Sequence, residues 1–112
     1  MSLVLSVATD FSQTPGPRYS SDGKSSAEEF RSFHLLPALS KARSDGQKLL
    51  IVLDGTSGYA ASFLEEAFGG LIRHGSMQPD EAIDLLEFES VEEPELIEEI
   101  KGFMEAASLD CM

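Results

Sequence analysis

The sequence predicts an α/β layer fold, a mixed and mostly parallel sheet with helices packed on it, in one domain over residues 1–112. Three observations carry this. Leu49, Leu50, Ile51, Val52 and Leu53 form an unbroken apolar run, the pattern of a strand covered on both faces in a parallel sheet. Helical periodicity flanks that run on each side, so strands and helices alternate. No internal repeat, and no linker long enough to divide the chain, interrupts the alternation.

In chain order, residues 3–8 read as a first strand. Residues 10–23 are rich in turn formers, with Pro15, Gly16, Pro17, Asp22 and Gly23, and a short strand at 18–20 would make a hairpin with the first. Residues 25–43 read as a helix capped by Ser25 or Ser26, with Glu28 or Glu29 three positions on. Ala27, Phe30, Phe33, His34, Leu36 and Leu39 give its apolar spacing, and Pro37 predicts a kink near Phe33-His34 or a split into two helices. Strand 49–53 follows. Ser62 and Glu65 form a capping-box pattern that opens a helix over 62–74, with His74-Gly75-Ser76 as its end. Pro79 to Ile83 make a helical turn, and residues 84–89 make a further strand. Ser90 with Glu93 then precedes an amphipathic helix over 94–107, marked by Leu96, Ile97, Ile100, Phe103, Met104 and Ala107.

Composition excludes several classes. Hydrophobic residues make up 42%, enough for one core and too many for global disorder. No apolar run approaches the roughly 20 residues of a membrane span. The opening MSLVLSVATD has no basic residue before its apolar ones, so it does not read as a signal peptide. Cys111 is the sole cysteine, which points to a reducing cytoplasm. Twenty acidic residues against 8 basic give a net charge of −12, and more than half of the acids lie from Asp80 onward. That charge argues against nucleic-acid and anionic-membrane surfaces and permits a basic protein partner.

In an open α/β sheet, ligands and partners meet the loops at the carboxyl ends of strands, so 54–61 is the first place to look for function. Asp54, Gly55, Gly58 and Tyr59 make the candidate ligand loop, and Thr56 and Ser57 are hydroxyls able to bond a ligand or to serve as turn formers. Ser62 reads first as a helix cap, worth about 1 kcal/mol. Gly69-Gly70 inside a helix needs a reason, and close packing on the sheet is favoured over a flat docking face. Arg18, Asp22, Glu29 and Arg31 suggest an ion-paired cluster around the early loop. Asp22-Gly23-Lys24-Ser25 looks like the end of a phosphate-binding loop, but Arg18 stands where that motif needs glycine. Ser62, a histidine and Asp54 have no nucleophile-elbow motif to support a triad, and no spacing matches a zinc site. No catalytic residue, metal or cofactor is therefore expected.

DFSQTPGPRY at 10–19, DGKSSAEEFR at 22–31, LLP at 35–37 and SFLEEAFGGLIR at 62–73 resemble the STAS-like domains of unknown function, relatives of anti-sigma-factor antagonists. The resemblance implies a STAS-like sheet of four to five strands. It implies a non-enzymatic signalling module whose partner is a regulatory protein, such as a histidine-kinase-like ATPase or an anti-sigma-type regulator. It also places Ser62 at the phosphorylatable serine of the antagonists. They carry Asp-Ser-Ser-Gly where this chain has Ala60-Ala61-Ser62-Phe63, so the acidic residue and one serine are missing. The other expectation for the same loop is an anion- or nucleotide-binding site at the start of helix 62–74.

Overall fold

A computed structural model describes residues 2–74 and 78–110, Asp110 by its backbone alone. The strands are β1 (Ser2–Ser6), β2 (Lys48–Val52) and β3 (Leu86–Glu89). The helices are α1 (27–45), α2 (61–73), α3 (Pro79–Leu85) and α4 (Glu95–Asp110). A π-helical turn, Val7–Phe11, follows β1 directly, and a 3-10 turn occupies Ser20–Asp22. Gly75, Ser76 and Cys111 lie outside the described residues.

The sheet runs in the order β1-β2-β3 with both pairs parallel, in the registers Leu3↔Leu49↔Leu86 and Leu5↔Ile51↔Phe88. Three strands are thus seen among the described residues where four to five were expected, and the pairing is wholly parallel rather than mixed. The expected strand at 18–20 is instead coil leading into the 3-10 turn. This segment lies along the start of α1: Ala27 N–H donates to Pro17 O at 2.9 Å and Glu28 N–H to Arg18 O at 3.2 Å. Those bonds satisfy helix-start donors that would otherwise lack partners. Ser26 completes the cap, its Oγ accepting from Glu29 N at 3.1 Å.

Right-handed crossovers that advance in one direction lay their helices on one side of the sheet. The burial pattern agrees. Leu5, Leu49, Ile51 and Leu86 are buried, with Leu3 and Phe88 packed against the same core. The alternate residues, Ser2, Val4, Ser6, Lys48, Leu50, Val52, Glu87 and Glu89, share the opposite face, where Val4 is 61% exposed and Leu50 and Val52 are only half-buried. Covering on both faces of strand 49–53 was therefore the wrong expectation: β2 is central, but one side of it is open.

Both long helices contain a π-helical turn, Arg31–Leu35 in α1 and Glu65–Gly69 in α2. A π turn adds one residue to the helical repeat. In α1 it falls just before Pro37, whose ring nitrogen has no hydrogen to donate, and there Leu36 N–H bonds to Arg31 O. The extra residue rotates the later buried set to Leu35, Leu39 and Ala42, and leaves Phe33 72% exposed, although its spacing predicted a core position. The core forms around Phe30, whose ring centroid is 6.0 Å from that of Phe63 and 6.2 Å from that of Phe68, and includes Leu96, Ile100 and Met104 of α4.

Candidate functional site

The carboxyl ends of all three strands meet in one cluster of loops. Asp54 follows β2 and spans to the loop after β3: Oδ2 accepts from Val91 N at 2.9 Å and Oδ1 from Glu92 N at 2.8 Å. Glu92 answers, Oε1 accepting from Gly55 N at 2.7 Å. The loop after β1 joins through Ser57 N–H to Gln13 O at 2.8 Å. Gly55, at φ +94°, lies where an added Cβ would be 3.1 Å from the Ala8 methyl, so glycine suits both the turn and the close approach. Ser6 shapes the β1 end through two bonds, its Oγ accepting from Thr9 N and its own N–H donating to Asp10 Oδ2.

Within the loop, Thr56 Oγ1 accepts from Gly58 N at 3.2 Å, an ordinary hydroxyl turn. Tyr59 donates its hydroxyl to Leu53 O at 2.8 Å and lays its ring on Phe63. Burial of the phenol, reinforced by the carboxylates of Asp54, Glu92 and Glu93 against a hydrogen bond with Thr56, pushes its pKa up to about 12. Ser57, Ala60 and Ala61 are exposed at the surface of the cluster.

Ser62 is not the cap of α2. Ala60 holds that position without a side-chain bond, its carbonyl accepting from Phe63 N and Leu64 N, and Ser62 is the second helical residue. The capping-box glutamate is engaged elsewhere: Glu65 binds Arg18 and Arg73. The Ser90-Glu93 pattern also resolves differently, Ser90 Oγ donating to Glu93 O at 2.6 Å while α4 begins at Glu95. His34 lies among aromatic rings, 5.2 Å from Phe11. Asp54 bonds backbone amides, so Ser62, histidine and Asp54 are not joined by any of these bonds.

A second polar centre joins α1, α2 and the early loop. Arg31 Nη1 donates to both Glu66 Oε2 and Glu66 O at 2.6 Å, and both residues are buried. Arg18 and Arg73 each bridge Glu65 and Glu66, and His74 Nε2 is 3.4 Å from Glu66 Oε2. The early-loop cluster thus includes Arg18 and Arg31, but their partners are Glu65 and Glu66 rather than Asp22 and Glu29. Burial pushes both glutamates up. Hydrogen bonds from Arg73 and Arg18 to Glu65, and from Arg31 and Arg18 to Glu66, outweigh it and hold both below the usual carboxylate range. Gly70 makes this possible: an added Cβ would stand 2.3 Å from Arg31 Nη1. At Gly69 it would stand 2.8 Å from Glu65 Oε2 and 3.4 Å from the Phe103 carbonyl. The glycine pair therefore serves the ion cluster and α4 rather than the sheet.

Among the described residues, no group of three or more His, Cys, Asp and Glu is placed to hold a metal ion, and no helix is long and apolar enough to cross a membrane.

The fold and its loop cluster define an α/β domain with a parallel sheet and helices on one side. The chain belongs to the family described as STAS-like domain of unknown function (DUF4325), whose model matches residues 26–96, from the cap of α1 into the start of α4. The matched part holds α1, β2, the loop at 54–61, α2, α3 and β3. No curated protein and no solved structure matches the chain.

Proposed function

We propose that this domain is a non-enzymatic signalling module that docks on a regulatory protein, of the kind exemplified by histidine-kinase-like ATPases or anti-sigma-type regulators. Loop 54–61 and the exposed start of α2 are the contact surface. The observation that carries this reading is the clasp. Asp54, Glu92, Gly55, Ser57 and Gln13 tie the three strand-end loops together by direct bonds, so Ser57, Ala60 and Ala61 sit on a pre-shaped surface. A surface fixed before binding loses little conformational entropy on association.

The other expectation, a nucleotide or small anion at the start of α2, is disfavoured by charge. Asp54, Glu92 and Glu93 raise the Tyr59 pKa and so are felt across the loop, and the loop itself holds no lysine or arginine. An affinity capture from native lysate tests docking: the wild-type domain retains a specific partner, and Ala61→Arg releases it. A thermal-shift series with nucleotides runs beside it. A shift of several degrees with a nucleotide, together with capture unaffected by Ala61→Arg, would move the assignment to ligand binding.

A further inference from the structure

All-parallel sheets occur almost only with both faces covered, because strands buried on one side alone are usually antiparallel. Among the described residues, this sheet is wholly parallel and covered on one face. Its other face carries Val4, Leu50 and Val52 in adjacent register, Val4 opposite Leu50, and none of the three packs against the core. β3 borders this apolar strip with Glu87 and Glu89, both exposed. Past the end of the strand, Val91 is 78% exposed. Among the described residues of the three strands, Lys48 is the one cation, beside Ser2, whose Oγ donates to Glu87 Oε1 at 2.6 Å.

We propose that the open face is a second docking surface, separate from loop 54–61, and that its occupant is a basic amphipathic helix of another polypeptide. Helices are the elements that cover parallel sheets. The strip sets the apolar side of such a helix, small enough to lie over valine and leucine. Glu87 and Glu89 set lysine or arginine along one flank. A second copy of this chain fits poorly, because it brings the same acidic border and a net charge of −12 to the contact.

The test uses the whole chain with methyl-labelled valine and leucine and two synthetic helical peptides. Both peptides carry the same alanine–leucine stripe, one with lysines on its flank and one with glutamates. NMR titration of the lysine peptide shifts the methyls of Val4, Leu50 and Val52 and leaves those of Leu64 and Leu71 in place. The glutamate peptide shifts none. Glu87→Lys with Glu89→Lys weakens the lysine peptide roughly tenfold. Both glutamates are exposed, and an unchanged melting temperature certifies the fold. Val4→Asp, checked in the same way, abolishes binding. Equal binding of both peptides, shifts centred on loop 54–61, or a dimer in sedimentation that Val4→Asp dissolves would each overturn the proposal.

Discussion

Arg31 opens the π-helical turn of α1 and Glu66 lies in that of α2, and one guanidinium nitrogen reaches both the carboxylate and the main-chain carbonyl of Glu66. Removing one partner of a buried ion pair leaves the other charge without compensation. Arg31→Met should destabilise the domain by about 3 kcal/mol. Arg31→Met combined with Glu66→Leu should recover a large part of that loss, because neither charge remains. Urea denaturation of both variants gives the comparison, and equal losses would contradict the buried-charge account.

The glycines give a matched contrast. Gly70→Ala thrusts a methyl into the Arg31 guanidinium and should cost about 1–3 kcal/mol. Gly102 lies in α4 with open space where a Cβ would stand, and Gly102→Ala should stabilise by up to about 1 kcal/mol from helix propensity. Thermal melts of the two variants should move in opposite directions.

Acid should weaken the fold through Glu65 and Glu66. Their folded pKa values lie below the ordinary 4.5, so their stabilisation is present above that value and is lost as pH falls through the folded ones. Alkali acts through Tyr59 with the opposite sign. A raised pKa means stabilisation that is complete below the ordinary 10 and is lost as pH rises toward about 12. Tyr59→Phe should flatten the alkaline limb of a stability–pH curve and leave the acid limb unchanged.

The clasp has a local signature. Asp54→Ala removes the acceptor for Val91 and Glu92 amides and should cost about 1–2 kcal/mol. Hydrogen exchange at those two amides should speed up, while the amides of Leu49 and Ile51 keep their protection. Uniform acceleration throughout would mean that Asp54 supports the whole fold and not this junction.

Because Ala60 and not Ser62 caps α2, Ser62→Ala should change stability by less than about 0.5 kcal/mol, well under the cost of a lost cap. Ser62→Asp should also fold, since the first turn of a helix favours an anion. Partner capture then reads function without interference from folding. Release by Ser62→Asp but not by Ser62→Ala would identify a charge switch at this position, and equal capture by both would exclude one.

Strand β2, helix α4 and the Ser26 cap were legible because each rests on signals within a few residues. The apolar run at 49–53 marked a strand correctly, yet an apolar residue on an open face looks the same as one on a covered face, so Leu50 and Val52 misled. Phe33 misled because a π turn shifts the helical face by one residue, and no local pattern announces it beyond the nearby Pro37. The loop at 54–61 was correctly placed at a strand end. Its fastening by Asp54 and Glu92 depends on residues 37 and 38 positions apart, which no periodicity links. Two traces of the Arg31–Glu66 pair were legible, the ion-paired cluster expected around Arg18 and Arg31 and the helix-weakening Gly69-Gly70, but not the glutamate partners.

The inward turn of the arginines affects how fast the domain meets other molecules. Arg18, Arg31 and Arg73 gather around only two carboxylates, so the surplus of positive charge is drawn to one spot between the helices. Among the described residues, the acids beyond Asp80 form one ion pair, Arg43–Glu81. The long-range field is therefore lopsided rather than evenly negative. A cationic molecule approaching from solution is steered toward the β3–α4 side before any contact forms, and its association rate should fall steeply as added salt shortens the reach of that field.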